Sequence, residues 1–313
     1  MEEEREERKE IRMKTIEIII IGLLSIAFLT LSERKIMGYM QRRIGPNKVG
    51  IFGLIQPIAD GVKLILKESP IGLESKRLLF ILAPIIAFIL SLLIYNIMPI
   101  KNLISNNYKE KNQLLFILGI LSINIYSTLY SGWSGNSKYS KLGSLRAIIQ
   151  LISYEVSLGI IILSIILINK SIKLTDIIYY QIDFLNLYLI SPLFILWLIT
   201  ILAESNRPPF DLPEAESELI AGYIVEYGGI KFTFIYLAEY LYILFLSGLT
   251  SILFFGSNLS SILTLIFIFF FIWIRATLPR LKFSTLLYLG WIEILPLSIS
   301  YLIFLLYFLF TFN

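Results

Sequence analysis

The sequence of 313 residues contains no cysteine and no histidine. Their absence excludes disulfide bonds, zinc or haem ligation through thiolate or imidazole groups, and a Ser-His-Asp triad. A cation site built only from carboxylates is not excluded. Any proton chemistry in this chain therefore depends on Asp, Glu, Lys, Arg and Tyr side chains and on water.

Charged residues are also scarce, at 16%, whereas 57% of the residues are hydrophobic and the mean hydropathy is +0.77. Soluble domains are roughly 45–50% apolar. The chain has several apolar runs long enough to cross a ~30 Å hydrocarbon core as helices. We predict an all-α polytopic membrane protein with about eight transmembrane helices, over residues 15–31, 78–98, 113–130, 147–168, 187–203, 231–255, 259–276 and 286–312.

Residues 1–14 form a run of mixed charge that precedes the first apolar span. Acidic residues are abundant in this run, which is untypical of a mitochondrial presequence. We interpret it as a charged N-terminal tail, or as the result of a start-codon choice in which Met13 is the true first residue. Residues 15–313 are then expected to form a single eight-helix membrane domain.

The connectors after spans one, three, five and seven, here called the odd-numbered connectors, are richer in Lys and Arg than those on the other side. Eight crossings place both ends of the chain on one side of the membrane. The positive-inside rule then places the odd-numbered connectors in the matrix or the cytoplasm. We expect the functional loops of the membrane domain at residues 32–77, 132–146, 204–230 and 277–285.

The first of these loops contains a segment with helical periodicity. Apolar residues recur along one face of it, and Asp60, Lys63 and Lys67 form the opposing stripe. This pattern predicts an amphipathic helix of the interfacial type on the matrix side. A peripheral helix with a solvated face is the alternative interpretation of the same pattern.

The loop that begins at residue 204 concentrates acidic residues beside only one base, Arg207. Its acids are Glu204, Asp211, Glu214, Glu216, Glu218 and Glu226. Asp211 is placed to cap a helix, so a solvated acidic cap is one interpretation. Because charge beside a bilayer is costly, a site for proton or ion handling is the other. The residues alone leave both interpretations open.

Three further carboxylates, Glu155, Glu239 and Glu293, fall inside or near apolar spans. A carboxylate at the centre of a membrane helix costs about 2.5–3.5 kcal/mol on insertion scales. We therefore expect these side chains to face protein or water rather than lipid. Each could be a buried structural hydrogen-bonding group or part of a proton path.

Several longer motifs match one known family. They are SERK at 32–35, GYMQRRIGPN at 38–47, GLIQPIADGVKLILKE at 53–68, GWSGNSKYSKLGSLRAIIQLISYEV at 132–156, AESNRPPFDLPEAESELIAGYIVEY at 203–227 and RATLPRLKF at 275–283. The chain from residue 15 to its C-terminus resembles the subunit 1 family of respiratory complex I. These proteins are the quinone-site membrane subunits of NADH:ubiquinone oxidoreductase.

The resemblance implies a bundle of eight helices that forms a ubiquinone tunnel together with hydrophilic partner subunits. Ubiquinone would be the substrate, and its reduction would be coupled to proton pumping. No cofactor is expected on this chain alone, and FMN and iron–sulfur clusters are expected in the partners. Other complex I subunits and lipids would be the partners, with no nucleic acid. The mitochondrial inner membrane is the implied location, with a bacterial plasma membrane as the alternative.

The resemblance also assigns roles to individual residues, although no catalytic residue and no metal ligand is assigned. The implied quinone-tunnel residues are Glu33, Arg34, Arg43, Asp60, Arg207, Arg275 and Arg280. The implied proton-coupling residues are Glu155, Glu204, Asp211, Glu214, Glu216, Glu218, Glu226 and Glu239. The alternative is the homologous membrane subunit of an ion-pumping hydrogenase, which uses no quinone.

Two positions depart from the family pattern. Ser69 follows Lys67 and Glu68 where a proline is frequent, and Glu293 follows Trp291 where a Trp-Lys pair is usual. A basic role in the last span is therefore not expected for this chain.

Overall fold

The computed structural model describes residues 2–70, 72, 75–99, 112–182, 184–213, 221–257 and 261–312, and these parts of the chain contain helices and no strand. The helices are α1 (Glu2–Met40), α2 (Gln56–Leu66), α3 (Arg77–Ile97), α4 (Gln113–Ser134), α5 (Lys138–Asn169), α6 (Leu174–Tyr180), α7 (Asn186–Leu189), α8 (Ser191–Glu204), α9 (Gly229–Phe255), α10 (Ile262–Thr277), α11 (Phe283–Tyr288) and α12 (Leu295–Phe312). A π-helical segment, Leu289–Ile294, joins α11 to α12, and Gly222–Ile224 forms a 3₁₀ turn.

The predicted all-helical, polytopic architecture is confirmed. In the described residues, six helical stretches have the length and apolar composition to cross a membrane: α1, α3, α4, α5, α9 and the α11–α12 unit. The other two apolar helices, α8 and α10, have 14 and 16 residues. At 1.5 Å per residue they extend about 21 and 24 Å, which is less than a ~30 Å hydrocarbon core.

α1 is longer than the predicted first span, because it runs for 39 residues from Glu2 to Met40. At its end, the helix continues past residue 31 and carries the Ser-Glu-Arg-Lys motif as its last turns. This extension places Glu33 on a rigid element instead of a loop.

The amphipathic helix predicted in the first loop is α2. Pro57 stands in its first turn, where a missing N–H group costs nothing. The apolar residues Ile58, Val62, Ile65 and Leu66 are all exposed in the isolated chain. The apolar face of α2 is therefore available to lipid or to a partner subunit.

α9 lies at the centre of the bundle. In its most apolar 18-residue window, 83% of the residues are buried, compared with 28% in α1 and 17% in the α11–α12 unit. α9 packs on α1, α3 and α10. A side chain on α9 therefore faces other helices in nearly every direction.

The odd-numbered connectors meet at one end of the bundle. Lys76 N–H, just before α3, donates to the Ser134 carbonyl at the end of α4 at 3.1 Å. Leu281 N–H, just after α10, donates to the Pro209 carbonyl at 3.0 Å. Gln150 on α5 donates to the Ala203 carbonyl in the last turn of α8 and to the Phe210 carbonyl in the connector after α8. The connectors predicted to carry function thus share one face.

Gly143 on α5 is a point of close contact between a helix and one of these connectors. A Cβ atom on Gly143 would lie 2.8 Å from the backbone of Gly222. Gly143→Ala is therefore expected to displace the turn at Gly222 and to lower the free energy of unfolding by about 1–3 kcal/mol. Gly159, on the same helix, has open space around it. Gly159→Ala is expected to be neutral or to stabilise by about 0.5–1 kcal/mol.

Thermal unfolding of the solubilised complex, measured for both variants, checks this prediction. Equal stability of the two alanine variants would contradict the close packing of α5 on this turn.

Candidate functional site

Three side chains from other parts of the chain contact the buried carboxylate of Glu33 on α1. Glu33 is 5% exposed. Arg275 from the last turn of α10 donates to its Oε1, and Arg207 Nη1 lies 3.6 Å from the same oxygen. Tyr240 on α9 donates its hydroxyl to Oε2 at 2.6 Å. We call Glu33, Arg207, Tyr240 and Arg275 the Glu33 cluster.

The Glu33 cluster carries one carboxylate and two guanidinium groups, so its formal charge is positive. Arg207 also stacks over the Tyr240 ring, with its guanidinium carbon 4.6 Å from the ring centroid. Arginine keeps its charge at all physiological pH values. The cluster is therefore a fixed, partly desolvated positive site that favours negative charge nearby.

Two neighbouring cavities lie near the Glu33 cluster. The smaller one, about 10 Å³, lies between Glu33, Arg207 and Arg275. The larger one, about 450 Å³, lies between α1, α9 and α10 and shares Leu29 and Ile268 with the smaller. We call the larger one the lateral cavity.

The lateral cavity presents a hydrocarbon surface despite the hydroxyl groups along it. Ser25, Ser32, Ser247 and Thr264 line it. Each donates its hydroxyl to a backbone carbonyl three residues earlier in the chain. Their hydrogen-bonding capacity is largely used within the helices, so the cavity suits an apolar chain.

Two more ion pairs lie on the same face of the bundle. Arg280 Nη2 donates to Asp211 Oδ2 at 2.9 Å, and Arg34 Nη1 donates to Asp60 Oδ2 at 2.5 Å. Burial raises the pKa of the Asp211 carboxyl, and the Arg280 guanidinium opposes that rise. The Arg34–Asp60 pair is considerably more exposed than the Glu33 cluster.

A polar cavity of about 40 Å³ lies on the other side of α9. Its polar lining consists of Asn124, Ser127, Thr128, Ser131, Glu204, Ser205, Asn206, Tyr223, Glu239 and Tyr242. Glu204 Oε2 is buried there without a hydrogen-bond partner among the described residues. Glu239 Oε1 accepts a hydrogen bond from Tyr223 at 2.9 Å. At about 40 Å³, the polar cavity has room for one or two water molecules.

Glu155 on α5 lies at a contact between helices, where the Ser122 hydroxyl of α4 donates to its Oε1, and it is close enough to Glu204 for their like charges to interact. In the described residues, no group of three or more carboxylates is arranged to hold a metal ion.

The Glu33 cluster and the polar cavity are connected twice through the backbone. Glu239 lines the polar cavity, and the next residue of α9, Tyr240, binds Glu33. Glu204 lines the polar cavity, and Arg207, three residues later, binds Glu33. Because successive helix residues differ by about 100° in direction, α9 presents one side chain to each site.

Comparison with known proteins gives this geometry its context. The sequence profile described as NADH dehydrogenase matches residues 13–306. The chain belongs to the NADH dehydrogenase family. The resemblance to complex I subunits drawn from the sequence motifs is thereby confirmed.

Three relatives in this family illustrate the similarity, and each is named NADH-ubiquinone oxidoreductase chain 1. The protein of Hyaloraphidium curvatum is 43% identical over 290 residues, which cover 93% of this chain and 96% of the relative. The protein of Aedes aegypti is 45% identical over 291 residues, covering 92% of each chain. The protein of Osphranter rufus is 47% identical over 294 residues, covering 90% of this chain and 91% of the relative.

Most of the residues singled out by family resemblance fall into these sites. Glu33, Arg207 and Arg275 form one cluster, and four other predicted residues form two ion pairs, Arg34 with Asp60 and Asp211 with Arg280. Glu204 and Glu239 line one cavity.

Three predicted residues lie apart from these groups, and the first is Glu155, which accepts a hydrogen bond from Ser122. Arg43 is exposed after α1, and the structure gives it no ion pair with a described residue. Glu226 lies against Gly135 at the turn between α4 and α5. Glu214, Glu216 and Glu218 lie outside the described residues.

The sequence did not predict the two tyrosines that donate hydrogen bonds to carboxylates in these sites. Tyr240 binds Glu33, and Tyr223 binds Glu239. A signal for Tyr240 was present, because a tyrosine directly after a carboxylate inside an apolar span is suited to hydrogen bonding there. Tyr223 had no such signal, since it lies in a connector 16 residues from its partner.

Proposed function

We propose that this chain is the quinone-site membrane subunit of a proton-translocating NADH–ubiquinone oxidoreductase. It forms the ubiquinone tunnel together with hydrophilic partner subunits and transmits quinone reduction to proton-carrying carboxylates. Membership of the NADH dehydrogenase family and the names of the relatives support this proposal. The observation that carries it is the Glu33 cluster, a buried positive site beside a small cavity that shares Leu29 and Ile268 with the apolar lateral cavity.

The lateral cavity would accept the isoprenoid tail of ubiquinone from the bilayer. Its volume of about 450 Å³ falls within the ~300–1,000 Å³ range of ligand sites. The smaller cavity at Glu33 has room for about one water molecule. The quinone ring would therefore lie above the Glu33 cluster, in a chamber completed by partner subunits.

Reduction of ubiquinone to ubiquinol consumes two electrons and two protons. The electrons come from partner subunits, since this chain has no Cys or His to ligate an iron–sulfur cluster. Negative charge develops on the quinone oxygens before the protons arrive. Arg207 and Arg275 are fixed counter-charges that would stabilise this charge.

The consequence of reduction would pass through α9 to the polar cavity. Negative charge near the Glu33 cluster would weaken the attraction of Arg207 and Arg275 for Glu33 and that of Arg207 for Tyr240. A movement of Tyr240 would displace α9, which also carries Glu239. A movement of Arg207 would displace the connector that begins directly after Glu204. These two carboxylates would then exchange protons with water in the polar cavity.

The proposed location is the mitochondrial inner membrane, with the odd-numbered connectors in the matrix. The density of basic residues in those connectors supports this orientation. The exposed apolar face of α2 would then lie at the matrix surface of the bilayer.

Photolabelling of the purified complex with a ubiquinone analogue, azido-substituted on its tail, tests the binding proposal. Labelled peptides are expected from α1 and α10 around Leu29 and Ile268, and excess ubiquinone should prevent the labelling. Ser25→Leu narrows the lateral cavity and is expected to raise KM for ubiquinone by about threefold to tenfold, which corresponds to ~1 kcal/mol of lost binding.

Ser300→Leu is the matched control. Ser300 is exposed on α12 and makes the same hydrogen bond to a carbonyl three residues earlier. This control should keep the parent KM. Labelling confined to other helices, or no quinone labelling at all as in a quinone-free hydrogenase subunit, would refute the proposal.

A further inference from the structure

A hydrogen bond joins the connector after α8 to the central helix inside the polar cavity. The Tyr223 hydroxyl donates to Glu239 Oε1 at 2.9 Å. Tyr223 is 4% exposed, so this bond forms away from bulk solvent. An element outside the transmembrane helices therefore contacts a carboxylate on α9 directly.

The position of Tyr223 is set by packing that does not involve Glu239. Tyr223 belongs to a buried cluster with Phe80, Ile224, Tyr227 and Ile235. The Phe80 and Tyr227 rings in this cluster stack at 4.2 Å. The turn that carries Tyr223 also rests on α5 at Gly143. Packing on several sides therefore holds Tyr223 in position. Its hydroxyl can in turn hold the Glu239 carboxylate in position.

Hydrogen-bond donors to Glu239 are important because the described lining of the polar cavity offers no positive charge. The lining from α3 and α4 is uncharged and consists of Ala83, Pro84, Ala87, Asn124, Ser127, Thr128 and Ser131. The last turn of α8 contributes Glu204, the connector after α8 contributes Ser205, Asn206 and Tyr223, and α9 itself contributes Ile235, Ala238 and Tyr242. None of the described lining residues is basic. A hydrogen bond donated to a carboxylate stabilises its ionised form.

We propose that Tyr223 is a positioning residue for Glu239, and that its hydroxyl holds the carboxylate in the polar cavity in the ionised form that accepts a proton. This rests on the proposed role of Glu239 as a proton carrier. Without the hydrogen bond, Glu239 retains its proton up to a higher pH. Fewer copies of the subunit are then ready to accept a proton at a given pH.

Tyr223→Phe tests the proposal, because phenylalanine keeps the ring in its cluster and removes only the hydroxyl. The complex with this variant is reconstituted in vesicles, and NADH-driven proton pumping is followed with a pH-sensitive dye across the neutral range. The acidic limb of the pumping profile is expected to move to higher pH by about half a unit to one unit. KM for ubiquinone is expected to stay at the parent value.

A second variant of the hydrogen bond and a control variant accompany Tyr223→Phe. Glu239→Asp withdraws the carboxylate from the hydroxyl by one methylene group and should move the acidic limb in the same direction. Tyr301→Phe removes a hydroxyl that donates to the Leu189 carbonyl and does not line the polar cavity, and its pH profile should coincide with that of the parent.

The outcomes separate the positioning role from the proposed function. If Glu239→Gln stops pumping while Tyr223→Phe and Glu239→Asp keep the parent profile, the positioning role is wrong and the proton-carrier role stands. If Glu239→Gln pumps like the parent, the proton-carrier role itself is wrong.

Discussion

Glu33→Gln is expected to destabilise the membrane subunit by about 3–5 kcal/mol and to abolish ubiquinone reduction. The substitution removes the carboxylate that joins α1 to Arg275, Arg207 and Tyr240. Arg207 is buried in this arrangement, so its charge would lose the Glu33 counter-charge in a low-dielectric site. The amount of assembled complex, its thermal unfolding and its NADH–ubiquinone reductase rate measure the effect.

Arg34→Gln is the matched control, because it breaks an ion pair one residue further along the same helix. The side chains of Arg34 and Asp60 are 53% and 33% exposed, whereas that of Glu33 is 6% exposed. An exposed pair contributes about 0–1 kcal/mol. Similar losses of stability in the two variants would mean that burial of the Glu33 cluster does not determine its contribution.

Glu204→Gln is expected to reduce the number of protons pumped per electron to nearly zero, while ubiquinone reduction continues at a lowered rate. Glu204 shares the polar cavity with Glu239, and its Oε2 has no hydrogen-bond partner among the described residues. Glutamine keeps the shape of the side chain but cannot carry the proton. Simultaneous measurement of NADH oxidation and proton uptake in vesicles gives the ratio directly.

Glu293→Gln is the control for this prediction. Glu293 is also a carboxylate within an apolar span, but it is exposed and does not line the polar cavity. Its variant should pump with the parent ratio. A parent ratio in Glu204→Gln as well would remove this carboxylate from the proton path.

The helices could be predicted from the sequence because apolar run length and periodicity determine them locally. The amphipathic pattern predicted α2, and the apolar runs predicted the spans. The apolar pattern predicted one span from residue 187, but the structure has two helices there. Pro192 lies in the first turn of α8, which is separate from α7. The π-helical segment at Leu289–Ile294 had no comparable signal.

The composition of the sites was less predictable than their location. The motifs indicated that Glu33, Arg207 and Arg275 belong to one region, but Glu33 and Arg275 are 242 residues apart. Which acid pairs with which base depends on how each helix is rotated about its axis. That rotation is set by packing on α9, whose near-uniform apolar surface carries little directional information.

Infrared difference spectroscopy of the reconstituted complex, triggered by reduction of bound ubiquinone, tests whether quinone chemistry reaches the polar cavity. Reduction is predicted to change the protonated-carboxyl band, and both Glu239→Gln and Glu204→Gln are predicted to diminish that change. Tyr240→Phe, which cuts the hydrogen bond between α9 and Glu33, should weaken it without removing either carboxylate. An identical carboxyl signal in the parent and all three variants would contradict coupling through α9.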